Sequence, residues 1–133
     1  MWAVAHYLPW GRIEFAAQMP LAAGLLAAGL LIALAAIVPL ITAKTTINPM
    51  RPERASTLIT SGIYRYSRNP IYLADALLMT ALAIWLGNIY NCLILLLFLW
   101  SMQRFQIAAE EHALTQLFGE RYTTYCSNVR RWL

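Results

Sequence analysis

The stretch LAAGLLAAGLLIALAAIV, residues 21–38, decides the fold. It contains only Leu, Ala, Gly, Ile and Val. A helix over it rises about 1.5 Å per residue and reaches roughly 27 Å, near the ~30 Å of a bilayer's hydrocarbon core. Pro20 suits the first turn of such a helix, and Pro39 marks a kink or an exit. The expected span is 19–41. It reads as a retained helix, because its apolar stretch outruns the roughly 7–15 residues of a signal peptide and only Arg12 lies nearby as a basic flank. Outward from it, a second apolar run at 71–86 is broken only by Asp75 and Thr80. Gly87 and Asn88 then turn the chain into a third run at 89–103, making a tight hairpin. Residues 1–18, with Trp2, Tyr7 and Trp10, read as an interfacial segment. Residues 104–133 remain as a helical cap outside the bilayer.

Composition agrees. Of the 133 residues 60% are hydrophobic and only 12% charged, against about 25% charged in an ordinary soluble domain. A soluble domain this small cannot hide so much apolar surface. A soluble globular enzyme, a disordered tail and a secreted disulfide scaffold are therefore excluded. The expectation is one all-α integral membrane domain over 1–133, with about three transmembrane helices and a cytoplasmic C-terminal extension. Nine of the ten Lys and Arg lie in 44–68 or 104–131, leaving Arg12 alone on the other side. By the positive-inside rule the long loop and the final segment face the cytoplasm, and the basicity needs no nucleic-acid partner. With Cys92, Cys126, His6 and His112 as the only Cys and His, no metal-ligand spacing is present. The spacings Ala23/Ala27 and Gly24/Ala28 leave an oligomer through the first span open.

Two polar segments carry the chemistry. The first, STLITSGIYRYSRNPIY at 56–72, has Gly62 for a turn, then Asn69 and Pro70, which suit the cap and first position of the second membrane helix. A helix mouth at the membrane surface suits a carboxylate or phosphate. Capping alone leaves Tyr64, Tyr66, Tyr72, Arg65 and Arg68 unexplained, although interfacial anchoring also accounts for such residues. In the second segment, Ile107, Leu114, Leu117 and Phe118 form one helical stripe, ended by Gly119. Glu110 and Glu111 flank the centre of that stripe, while His112, Thr115 and Gln116 take the solvated side. Acids on a packed face need a cation or hydrogen-bond donors. Two readings follow: a structural ion pair with Arg65 or Arg68, or a pocket for a positively charged ligand. Asp75, one and a half turns into the second span, is either functional or reaches back to Arg68.

At these residues the chain resembles the isoprenylcysteine carboxyl methyltransferase and phospholipid methyltransferase family. The matching words are LITSGIYR (58–65), RNPIY (68–72), Glu110-Glu111, Phe118-Gly119 and Tyr122. The resemblance implies a cytoplasm-facing pocket for S-adenosylmethionine, capped by the C-terminal helix and open sideways to lipid. Ser56, Thr57, Leu58 and Ile59 with Tyr64 would wall it, Asn69, Pro70, Ile71 and Tyr72 would hold the cofactor, and Glu110 would reach it from the third helix. Three positions depart from the family pattern: Asn69 stands where His is frequent, Ala74 where Gly is common, and Gln106 where prenylcysteine-specific enzymes carry an Arg facing the substrate. Gln106 is the candidate substrate contact, and its lack of charge speaks against a carboxylate acceptor. The implied activity is methyl transfer to a lipophilic or small acceptor, with Glu111 or Asp75 as candidate proton acceptor and no metal. A non-catalytic membrane subunit that docks a partner through the same surface is the alternative. A reductase with a nucleotide pocket is a third.

Overall fold

The computed structural model describes residues 1–43 and 57–133. The helices are α1 (Trp2–Tyr7), α2 (Gln18–Thr42), α3 (Pro70–Leu86), α4 (Tyr90–Ser101), α5 (Ala108–Phe118) and α6 (Glu120–Asn128). Short 3₁₀ turns lie at Pro9–Gly11 and Gly62–Arg65, and a π-helical segment, Met102–Ile107, joins α4 to α5. Among the described residues there is no strand, only an isolated bridge between Arg12 and Asn88. The chain is all-helical. Two helices are long and apolar enough to cross a membrane: α2, with 25 residues, and the continuous 29-residue helix Tyr90–Phe118. The third apolar helix, α3, has 17 residues.

Antiparallel packing of α2 on α3 is the frame. Small residues make it possible: Ala22, Gly29 and Ala36, seven apart, are buried on α2, and Ala74 and Ala81, also seven apart, on α3. At Gly29 the approach is tightest, where an added Cβ would sit 2.9 Å from the Leu78 side chain and 3.3 Å from the Ala74 carbonyl oxygen. Small residues let helix backbones approach where lipid supplies no hydrophobic drive. The small-residue spacing thus joins two helices of one chain. Ala23, Gly24 and Ala27, singled out by spacing, lie on the exposed side. Pro39 neither ends nor exits α2, which runs on to Thr42, whose hydroxyl donates to the Val38 carbonyl at 2.8 Å.

One end of this frame is tied by polar side chains. Gly87 takes φ +56° at the end of α3, a conformation glycine adopts without strain. Ile13 N–H donates to the Gly87 carbonyl at 2.8 Å, and Ile89 N–H to that of Gly11 at 2.8 Å. Buried Gln18 donates its amide to the Ile84 carbonyl at 2.8 Å, beside the Gly87 N–H that the same carbonyl accepts at 3.0 Å, and to the Trp85 carbonyl at 3.3 Å. The opposite end gathers the start of α3, α5, α6 and residues 57–68.

Candidate active site at the mouth of the third helix

The 3₁₀ turn Gly62–Arg65 opens on Gly62 at φ +61°, the left-handed region. It buries Tyr64, whose phenol donates to the Ala36 carbonyl of α2 at 3.3 Å; Tyr125 of α6 donates to the Tyr64 carbonyl at 2.7 Å. Burial, with a further push from the negative charge of Glu110, raises the Tyr64 phenol well above the ordinary tyrosine range. Tyr64 and Glu110, far apart in sequence, therefore share one site.

At the mouth of α3, Asn69 occupies the cap position and Pro70 the first helical one, as the sequence predicts. The Asn69 side chain, however, does not cap. Its amide donates to the Arg131 carbonyl at 3.0 Å, while its own N–H is taken by the Ser67 hydroxyl at 3.2 Å. A demand from outside the helix has claimed the carboxamide: the incoming Arg131 carbonyl takes it as its shorter hydrogen bond, beside the Ser67 hydroxyl at 3.4 Å.

Tyr72, one turn further, is 7% exposed and packs with Met102 and Ile107, flanked by Phe98 and Trp132. Its hydroxyl donates to Glu110 Oε2 at 2.9 Å, and the Gln106 side chain bonds to the same phenol. Gln106 and Glu110 are four residues apart, hence on one helix face. The π-helical segment just before them inserts extra backbone into the helix, a feature frequent at functional sites. Beyond Met102–Ile107 the charged α5 leaves the apolar part of the helix. There burial, opposed by the Tyr72 hydrogen bond and aided by Glu111, raises the Glu110 carboxyl above its usual range.

Glu111 has a different environment. Arg131 grips it with two hydrogen bonds, Nε to Oε1 at 3.1 Å and Nη2 to Oε2 at 2.6 Å, and Arg68 Nη2 lies 3.4 Å from Oε1. The second Arg68 Nη donates to Cys126 Sγ, and its Nε is buried without a partner among the described residues. Burial opposes the Arg68 charge, but Glu111 and Cys126 outweigh it and raise its pKa. The adjacent acids thus divide: two guanidiniums serve Glu111, while Glu110 takes a hydrogen bond from the neutral Tyr72 phenol. Of the two cations proposed for ion pairing, Arg68 is used; Arg65 is exposed and forms no ion pair among the described residues.

The remaining sequence candidates scatter. Leu58 and Ile59 are half-buried beside the turn, Thr57 is exposed, Pro70 is buried and Ile71 half-buried. Ser56 lies outside the described residues. Asp75 sits about one turn beyond Tyr72, near enough for its charge to act on the phenol, and forms no ion pair with Arg68. His112 is exposed and bonded to Gln116 at 3.0 Å, on the solvated side where the helical spacing puts it. Leu117, expected on the packed stripe, is 45% exposed. Sequence reasoning missed Ser67, Arg131 and Trp132. The only signal was the run Arg130-Arg131-Trp132, which on its own reads as an interfacial anchor.

A helical membrane frame that brings a tyrosine-lined helix mouth against a glutamate pair defines a class, and the comparisons agree with it. The family model described as phospholipid methyltransferase matches residues 17–121. The chain belongs to that family, as a membrane protein of the methyltransferases. It is similar over 63 residues, at 41% identity, to a Haemophilus influenzae protein named only as uncharacterized, the match covering 47% of this chain and 100% of that one. It is 35% identical over 72 residues to the protein-S-isoprenylcysteine O-methyltransferase of Schizosaccharomyces pombe, which covers 54% of this chain and 30% of that enzyme. It is also 28% identical over 85 residues to protein-S-isoprenylcysteine O-methyltransferase B of Arabidopsis thaliana, covering 64% of this chain and 43% of the other. The chain thus spans less than half the length of either methyltransferase. No solved structure matches it.

Proposed function

We propose that this protein is an S-adenosylmethionine-dependent methyltransferase that acts on a lipophilic or small acceptor at the inner face of the membrane. The observation that carries the reading is the Tyr72–Glu110 pair. It joins the two motif-bearing segments, and it holds a half-buried carboxylate on a neutral phenol while the Arg68 and Arg131 guanidiniums serve its neighbour. Such a carboxylate is complemented by a cationic ligand. The residues fit this donor: Glu110 meets positive charge, Tyr64 and Tyr72 offer aromatic rings, and the buried, unpartnered Arg68 Nε suits a ligand carboxylate. Leu58, Ile59 and Asn69–Tyr72 would form the surrounding wall, with Thr57 at its edge.

When bound, S-adenosylmethionine would supply a methyl group on a sulfonium: the acceptor's lone pair would bond to the methyl carbon as the carbon–sulfur bond breaks and its electron pair goes to sulfur, the neutral thioether leaving. The protein's task is to align the reactants and exclude water, and positioning alone contributes several kcal/mol. Gln106, bonded to Tyr72, faces the acceptor as a neutral hydrogen-bonding group. A carboxylate acceptor would need no proton acceptor but would lack a cation here. An amine or thiol would lose its proton to Asp75, or to Glu111 once Arg131 lets go. We read α2, α3 and α4 as three spans with this end of the frame in the cytoplasm; the positive-inside rule supports the reading, since Arg65, Arg68, Arg104, Arg121, Arg130 and Arg131 follow α2 while Arg12 precedes it.

Calorimetric titration of the detergent-purified protein with S-adenosylhomocysteine tests the proposal. Binding that is lost in Glu110→Ala and Tyr72→Ala supports it. No heat down to millimolar ligand, together with co-purification of a partner protein, favours the non-catalytic subunit.

A further inference from the structure

Residues 129–133 leave α6 in extended backbone, with Val129 at φ −126° and ψ 131°. They run across the mouth of α3 and touch each part of the site. Arg68 N–H donates to the Arg130 carbonyl at 3.0 Å. The Arg131 carbonyl accepts from the Asn69 amide at 3.0 Å and from the Ser67 hydroxyl at 3.4 Å. The Arg131 guanidinium clamps Glu111, and Trp132 packs against the cluster of Tyr72, Met102 and Ile107. Ser67, Asn69 and Tyr72 are 0%, 7% and 7% exposed. Polar groups at the mouth of a surface-facing helix are this inaccessible because the strap lies over them.

We propose that segment 129–133 is a gate over the site, latched by the Arg131–Glu111 pair, and that ligand exchange requires the latch to open. The proposal rests on the reading of Asn69–Tyr72 and Glu110 as a ligand site. The attachments are few. Backbone and amide hydrogen bonds hold the middle of the strap, one ion pair holds its side, and one ring holds its end. The Arg131 side chain is 38% exposed and that of Glu111 17%. A pair that water can reach is weaker than a dry one, yet strong enough to favour the closed form. Val129, where the helix geometry ends, is the hinge. Opening frees the Asn69 amide, Glu111 and the face of Tyr72 together, so one movement both exposes the site and releases a carboxylate. Arg68 remains beside Glu111 when Arg131 leaves, which keeps the acid paired and the opening inexpensive.

Two measurements on the full chain in detergent micelles test this. The first needs no ligand: amide hydrogen exchange at Arg68, whose N–H bonds to the strap, compared with amides in the middle of α3. Arg131→Gln is expected to raise exchange at Arg68 roughly tenfold while mid-α3 protection holds, and Arg131→Lys to restore part of it. The second is the dissociation rate of S-adenosylhomocysteine in stopped flow, expected to rise roughly tenfold in Arg131→Gln and in Glu111→Gln. Unchanged exchange at Arg68 overturns the gate. So does loss of protection throughout α3, which would make Arg131 a general structural brace. Faster exchange with an unchanged dissociation rate overturns it as well, since ligand would then leave by another path. If the unaltered protein binds no S-adenosylhomocysteine, the methyl-donor reading fails, and hydrogen exchange still decides whether the strap opens at its latch.

Discussion

Replacing Tyr72 by Phe removes a single oxygen from the centre of the site. The ring stays among Met102 and Ile107, because at 7% exposure its packing does not depend on the hydroxyl. What disappears is the 2.9 Å hydrogen bond to Glu110 and the Gln106 contact to the same phenol. A hydrogen bond to a charged group contributes about 1.5–3 kcal/mol. Glu110 is half-buried, so water replaces part of the lost donor, and the lower part of that range applies, about 1.5 kcal/mol. A double-mutant cycle of Tyr72→Phe and Glu110→Ala isolates this coupling from the cavity and packing effects of each change. Reversible unfolding in mixed detergent micelles, followed by far-ultraviolet circular dichroism, measures it. A coupling of about 1.5 kcal/mol, near tenfold in the unfolding constant, is expected. A value below about 0.5 kcal/mol, within the ordinary scatter of independent sites, would mean the pair does not form and the site is misassembled.

The other predictions concern the frame and its charge. Gly29→Val drives a side chain into Leu78 and the Ala74 carbonyl, and should destabilise the α2–α3 pair by about 1–3 kcal/mol in the same unfolding assay. Gln18→Leu removes the amide hydrogen bonds to the Ile84 and Trp85 carbonyls at the far end of α3, while Gly87 N–H still serves Ile84, and should lower stability by about 0.5–1.5 kcal/mol, read as an earlier thermal transition. Burial, countered by Tyr72 and aided by Glu111, raises the Glu110 carboxyl, so a cationic methyl donor should bind fully above that raised pKa and lose affinity as pH falls through it, starting above the ordinary carboxylate range. Calorimetry with S-adenosylmethionine between about pH 8 and 5 should show this slope, and Glu110→Gln should flatten it.

Much of the frame was legible because its signals are local. An unbroken apolar run reads as a membrane helix whatever packs beside it, and the expected bounds 19–41 and 71–86 lie within a residue of Gln18–Thr42 and Pro70–Leu86. Turns at Gly62 and Gly87 and the helix end at Gly119 are set by the residue itself. Pro39 lies inside α2, as the expected span 19–41 has it; of the kink or exit that its residue type suggested, the exit does not occur there, since a proline one turn from a helix end removes only one hydrogen bond and the helix absorbs it. The Asn69 side chain misled. Its capping preference is worth about 1 kcal/mol, which a buried carbonyl from a distant segment can outweigh.

By itself the sequence determined that the chain is helical, membrane-bound and basic at one end, and that two polar segments with tyrosines and paired acids face the same side. Those features follow from composition and from neighbours three or four residues away. Tertiary structure alone decided which glutamate takes the arginines and which keeps the tyrosine, and that the Arg130 and Arg131 carbonyls meet Arg68 and Asn69 at the helix mouth. Adjacent residues on a helix point about 100° apart, so Glu110 and Glu111 meet different partners, and those partners come from parts of the chain 20 to 43 residues away. Pairings of that range depend on how helices cross, which no local pattern encodes.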